Sequence, residues 1–327
     1  MDIRRILKET IWTNIHEVSI LGKYRILLFF SLNFLIYVSV MTYFGLVRFQ
    51  DLLAPTFDMG VKIQTIFTSI NGIPIDTANY VTNAGIGGIN FFATHFSPLT
   101  FALSPFLHFF PPAIFLLGFQ WTCIYLASPL IYLIAKIEGL SERNSLIIST
   151  LYLLYPPMIM SGMYDIHFLA LYPLASLMIY YGFKKSNYFL YIFGFILGWA
   201  AQESFFLLAT FFIILLYIEK KPGFKSIFSP ALIDKKDLIL IVSFILSLVV
   251  YFYEVFIYMK GFVPNRPNPL FSSNGYHLSI ENIFINPVQK FEYWFFVFLF
   301  LGFIPALGSK KLILILPAFI LTLFTTN

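Results

Sequence analysis

The chain is poor in charge. Only 11% of its 327 residues are Asp, Glu, Lys or Arg, against about 25% in a soluble domain. It is almost free of cysteine as well. Cys123 is the single one, so an internal disulfide is excluded and the redox compartment is not encoded. No Walker-type lysine loop, no H-E-x-x-H pair and no G-x-S-x-G elbow occurs, which leaves a pump ATPase, a zincin and a common serine hydrolase without support. Gly85-Ile86-Gly87-Gly88 has neither the preceding strand nor the following helix of a nucleotide loop, and reads as flexible loop. There is no internal repeat and no low-complexity tract. What the chain has instead is hydrocarbon: 59% of residues are hydrophobic and 20% aromatic. It reads as an integral membrane protein. The aromatic excess, 41 Phe and 20 Tyr, is mostly lipid-facing and interfacial packing. The net charge of +5 is then a positive-inside bias rather than a nucleic-acid footprint.

Residues 1–25 carry Arg4, Arg5, Lys8, Glu9, Glu17, Lys23 and Arg25, and the first apolar run is long enough to span; no cleavable signal peptide is read. Spans need about 20 apolar residues. The runs 26–47, 112–135, 144–161, 238–258 and 291–307 qualify, with shorter ones at 167–183 and 312–325. The run 188–218 would measure about 46 Å as one helix, against about 30 Å of hydrocarbon. Breaking it near Gln202-Glu203 puts Lys220, Lys221, Lys225, Lys235 and Lys236 on the same side as Lys184 and Lys185, so two helices are expected. Residues 95–111, with Pro98, Pro105 and Pro111-Pro112, read as a helix in or on the interface. The result is nine spans in a single transmembrane domain, 1–327. A cytoplasmic segment 1–25, a large outer loop 48–111 and a second outer loop 259–290 flank them. Of the 21 Lys and Arg, all but Arg48, Lys62, Lys260, Arg266 and Lys290 fall inside, which sets a cytoplasmic N-terminus in a multi-pass cell-membrane protein. The chain ends directly after an apolar run, at Thr325-Thr326-Asn327, where a C-terminal domain of longer relatives is expected to be missing.

On this map three polar clusters meet one membrane face: Phe57-Asp58-Met59-Gly60, Asp165-Ile166-His167 and Gln202-Glu203. Carboxylates in or beside lipid are costly and mark function. Asp58 lies in the first turn of an amphipathic stretch, 57–70, with Phe57, Val61, Ile63, Phe67 and Ile70 at helical spacing. On spacing alone, a cap of that helix is the stronger reading of Asp58. His95-Phe96-Ser97-Pro98 opens the next helix, with Ser97 before Pro98 suiting a helix start. A lone His there is more often a structural hydrogen-bonder than a ligand. Asp165 and His167 fit a metal or phosphate site and a helix cap equally well. Glu203 is the only charge between Lys185 and Glu219, so it must face a cavity, a cleft or a cation.

The order and spacing of Phe57-Asp58-Met59-Gly60, His95-Phe96-Ser97-Pro98, Gln120, Leu154-Tyr155-Pro156, Asp165-Ile166-His167 and Gln202-Glu203 resembles the predicted membrane proteins grouped as domain of unknown function 2079, related to the C-type glycosyltransferases. The resemblance runs over roughly residues 50–215. It departs from the family pattern at Ile166, where Phe is usual, at Phe168, where Pro is usual, and at Gln202, where Lys is common. What it implies is an all-α polytopic fold of the C-type (GT-C) glycosyltransferase kind and transfer of a sugar from a polyprenyl-phosphate donor to an extracytoplasmic acceptor. Asp58 matches the family's early acidic residue, the catalytic base or metal ligand. His95, His167, Gln202, Glu203 and Lys62 are the expected substrate and phosphate ligands, with Lys62 or His167 replacing the missing Lys. A divalent metal (Mg or Mn) would sit on Asp165 and His167. Expected partners are the lipid-linked donor and membrane lipids, with no nucleic acid. A transporter or flippase with an outward acidic cavity is the alternative from another class, and a non-catalytic GT-C-like subunit is a third. A transporter would usually show inverted repeats and acids near the midplane. Here the acids crowd at one face.

Overall fold

The computed structural model describes residues 3–51, 57–76, 89–93, 95–220, 234–259, 287–288 and 290–291. The loop 77–88 with its glycine run, most of 260–290, and the expected spans 291–307 and 312–325 lie outside the described residues. Helix α1 is Ile3–Gln50, longer than the run 26–47 because the polar segment before it is helical too. Helix α2 is Phe57–Ser69, and the two-residue strands β1 (Ile75–Asp76) and β2 (Ile89–Asn90) pair antiparallel. A short helix α3, Leu99–Leu103, runs into a 3-10 turn over Ser104–His108. Then come α4 (Pro112–Ile137), α5 (Glu142–Leu153), α6 (Pro156–Tyr164), α7 (Tyr172–Lys185), α8 (Tyr188–Ala201), α9 (Phe205–Lys220) and α10 (Lys235–Tyr253).

Among the described residues four segments are long and apolar enough to cross a membrane: Tyr24–Gln50, Pro112–Ile137, Glu142–Tyr164 and Lys235–Tyr258. The helices α7, α8 and α9 have 14, 14 and 16 residues, about 21–24 Å each, short of the hydrocarbon thickness. The expected break in 188–218 is present. Gln202 is extended at the end of α8, and α9 starts at Phe205. The run 144–161 is also broken, at Tyr155, whose backbone is extended. Pro156 after it explains this, since a residue before proline is pushed out of the helical region. Ser141 caps α5 by accepting from the Asn144 N–H.

Polar contacts show which helix ends meet. At one end Lys184 lies 3.6 Å from Glu138 and 3.0 Å from Glu219, and Tyr180 donates to both carboxylates. Lys220 joins Asp234 and Asp237 there. The C-termini of α4, α7 and α9 therefore share one end, and the residues following α6 and α8 share the other. Between them two cores fill the bundle. One joins Ile66, Leu116, Ile166, Phe168, Leu171 and Ala201, and the other joins Ala175, Ile179, Phe205, Ile213 and Leu240. Gly194 and Gly198 let α8 approach closely. A Cβ on Gly194 would lie 2.7 Å from the Ala175 carbonyl, and one on Gly198 2.2 Å from the Phe205 ring.

Candidate functional site

Helix α2 is amphipathic, and of the residues expected on its apolar face Val61 is buried. Met59, Lys62, Ile66 and Ser69 are buried, while Phe67 and Ile70 are about half exposed. The buried stripe runs at three- and four-residue steps and includes a lysine. Its first-turn N–H groups have no partner inside the helix. Asp165 supplies one from 107 residues away: its Oδ2 accepts from the Asp58 N–H at 3.1 Å. Its carboxylate also accepts from the N–H groups of Met59 and, at 2.6 Å, Ile166. Asp165 is thus a cap supplied to α2 from another part of the chain. Burial pushes its carboxyl up and the Asp58 charge adds to that, while the three N–H donors pull it down. Both of its oxygens are thus engaged by backbone N–H groups. Among the described residues no group of three or more His, Cys, Asp or Glu is arranged to hold a metal.

Asp58 itself is turned to a different neighbour. Its Oδ2 lies 3.7 Å from His167 Nε2, and both side chains are over a third exposed or nearly so, at 39% and 35%. His167 is held by its backbone: its N–H donates to Gln120 Oε1 at 2.7 Å. Gln120 is buried and donates to the carbonyls of Gly162 (2.8 Å) and Asp165 (3.2 Å). One glutamine on α4 therefore fixes the whole α6–α7 connection. The His167 ring stacks on Tyr164 at 6.2 Å. Burial holds His167 below its ordinary value, opposed by the Asp58 charge and reinforced by Lys62 and His95. Those three groups are therefore close enough to share one field. Lys62 sits one turn beyond Asp58, its Nζ 4.3 Å from the Phe91 ring centre and 4.7 Å from that of Phe168. Phe168, where the family pattern has Pro, thus forms half of an aromatic clamp on a cation.

The third cluster is a clip between the β2–α3 segment and the α8–α9 break. Glu203 Oε2 accepts from the Phe96 N–H at 2.8 Å, and Ser97 Oγ donates to the Ala201 carbonyl at 2.7 Å. Ser97 does not cap α3, as its position before Pro98 led one to expect; its hydroxyl is spent on the end of α8, and α3 has no side-chain cap. Glu203 Oε1 lies 3.3 Å from His95 Nδ1, and Gln202 Nε2 2.9 Å from the same nitrogen. The polar neighbour of Glu203 outside the backbone is then the His95 ring, whose side chain is 47% exposed against 10% for Glu203.

The sequence-derived residues fall into two sets. Gln120, Asp165, Glu203 and Ser97 are buried and bound to backbone. Asp58, His167, His95 and Gln202 keep exposed surface, with Lys62 beneath them. Sequence reading passes over Glu254, a buried acid near the end of α10 that touches Trp199. The signal for it was a lone carboxylate inside the run 238–258.

Fold and site define a polytopic α-helical membrane protein with a charged constellation at one end of its bundle. Residues 48–327 match the family model described as Predicted membrane protein (DUF2079), and the chain belongs to that family. No curated protein and no solved structure matches it.

Proposed function

We propose that the protein is a membrane glycosyltransferase of the C-type architecture, with nine spans, an N-terminus in the cytoplasm and its site on the outer face of the cell membrane. The observation that carries this reading is the pairing of Asp58 with His167 at 3.7 Å beside the buried cation Lys62. A carboxylate next to a neutral imidazole is a general base for an acceptor hydroxyl or amine. The acceptor oxygen or nitrogen loses its proton to Asp58 and bonds to the anomeric carbon, and the bond from that carbon to the polyprenyl phosphate breaks. The lipid phosphate leaves with the electron pair. Its developing charge is met by Lys62, with His95 and His167 as hydrogen-bond donors. Lys62 thus takes the part of the family's Lys at the position of Gln202. A divalent cation such as Mg or Mn, if bound, would be held by Asp58 with His167 and Asp165 nearby, and would neutralise leaving-group charge.

Asp58→Asn tests the reading. Transfer from a labelled polyprenyl-phosphate sugar pool in membranes should fall about 10²–10⁴-fold, with thermal stability retained, because the capping carboxylate is Asp165. Full activity in this variant would remove Asp58 from catalysis. Wild-type protein that transfers nothing but moves ions or lipids in proteoliposomes would make it a transporter.

A further inference from the structure

Helix α10 passes at its end into a single π-helical turn, Glu254–Tyr258. Such turns are rare and recur at functional sites. Glu254 is only 3% exposed. One oxygen accepts from the Trp199 indole N–H at 2.5 Å; the other, Oε2, is buried with no hydrogen-bond partner among the described residues. The surroundings are apolar: Phe206, Tyr251, Val255 and Met259 pack with Phe96 and Trp199. The Glu203 carboxylate lies near enough to act on Glu254 through its charge. A buried carboxylate oxygen left without a donor is costly. It calls for a ligand that brings an O–H or N–H.

Next to it an apolar groove of about 250 Å³ opens between α8 and α10. Ile192, Ile196 and Leu246 line it and are more than half exposed, as on a lipid-facing wall. Trp199, the donor to Glu254, and Val250, one helical turn before it, also line the groove. An alkyl chain fits these walls. The carboxylates behind Trp199 at the groove's end select the head. Glu254 and Glu203 repel a lipid phosphate, whereas Lys62 and His167 on α2 and the α6–α7 connection attract one.

We infer that the α8–α10 groove, ending at Trp199 with Glu254 hydrogen-bonded behind it, binds a membrane amphiphile whose head carries a hydroxyl or ammonium and no negative charge. This rests on the glycosyltransferase reading, in which the amphiphile is the acceptor, and it gives the site two entrances: phosphate donor from the α2 side, acceptor from the α8–α10 side. Trp199 stacks on Phe96 at 5.6 Å, and the Phe96 N–H bonds Glu203, so the groove is one contact from the His95 cluster.

The experiment is photolabelling of the full-length protein in phosphatidylcholine nanodiscs, which needs no transfer activity. Three single-chain diazirine probes with the same tail end in hydroxyl, ammonium or phosphate. The hydroxyl or ammonium probe should label peptides 191–199 and 243–250 about tenfold more than the phosphate probe. Glu254→Leu should erase that preference, and Ile196→Trp, at an exposed position, should block labelling by all three. Glu254→Gln keeps size and an acceptor for Trp199, so it serves if the Leu variant does not fold; it should lose the ammonium preference while melting like wild type. Equal or stronger labelling by the phosphate probe, or a preference that survives in Glu254→Leu, overturns the proposal. Because the readout is binding, the groove assignment stands or falls separately from the transferase assay.

Discussion

Asp58 and Asp165 are both half-buried or buried carboxylates at the start of one helix, yet they do different work because of what faces them. Asp165 meets three backbone N–H groups and is consumed by them. Asp58 meets an imidazole. The same division separates Glu203, bound to the Phe96 N–H, from His95, which keeps an exposed ring. His167 gives a pH signature. Burial lowers its folded value below 6.5, so the fold favours the neutral ring. That stabilisation is fully present above 6.5 and is lost as pH falls from 6.5 through the lower folded value. Melting in detergent should therefore drop on acidification, and His167→Gln should flatten the profile over this window. An unchanged slope in the variant would assign the acid sensitivity to other groups.

Among elements, α2 is the one whose placement decides the site, and it is tied down from outside. Its N-terminal donors are met by Asp165, which is itself positioned by Gln120 through the Asp165 carbonyl. Removing the carboxylate in Asp165→Ala should cost about 0.5–2 kcal/mol, as for loss of a helix cap. It should also lower transfer, because Asp58 and Lys62 ride on the same helix. Asp165→Asn retains one acceptor oxygen and should recover most of the stability. Differential scanning fluorimetry with the transfer assay separates these outcomes; an Ala variant as stable and active as wild type would leave α2 held by its apolar face alone. The π-helical turn after α10 is the second element of this kind, because it brings Glu254 against Trp199.

For the whole molecule, the polar clusters sort to two ends. Glu138, Lys184 and Glu219 meet at one, and Asp58, His95, His167 and Glu203 at the other. The orientation proposed from charge puts the Lys184 end in the cytoplasm. With Cys123, which is buried, replaced by Ser, Asn71→Cys should react with an impermeant maleimide in sealed cells and Lys185→Cys should not. Both positions are exposed and sit on opposite ends. Labelling of Lys185→Cys alone would invert the protein in the membrane.

Composition alone determines that this chain belongs in lipid, since so little charge over so many residues cannot clothe a water-soluble surface. Local pattern determines the helix between Pro112 and Ile137 and the interruption at Gln202, because spans and isolated polar residues act over a few neighbours; the break before Pro156 falls inside a run expected to be continuous. The residues that matter were also visible as polar islands in apolar runs. Their roles were not. Whether Asp58 caps a helix or faces a histidine depends on which carboxylate reaches the α2 N-terminus first, and that is Asp165, brought there by a fold that closes over 107 residues. The cation–π seat of Lys62 likewise needs Phe91 and Phe168 from distant segments. Long-range pairing of this kind leaves no periodic trace in the chain, so tertiary structure alone decided which polar side chains hold the protein together and which are left to meet a substrate.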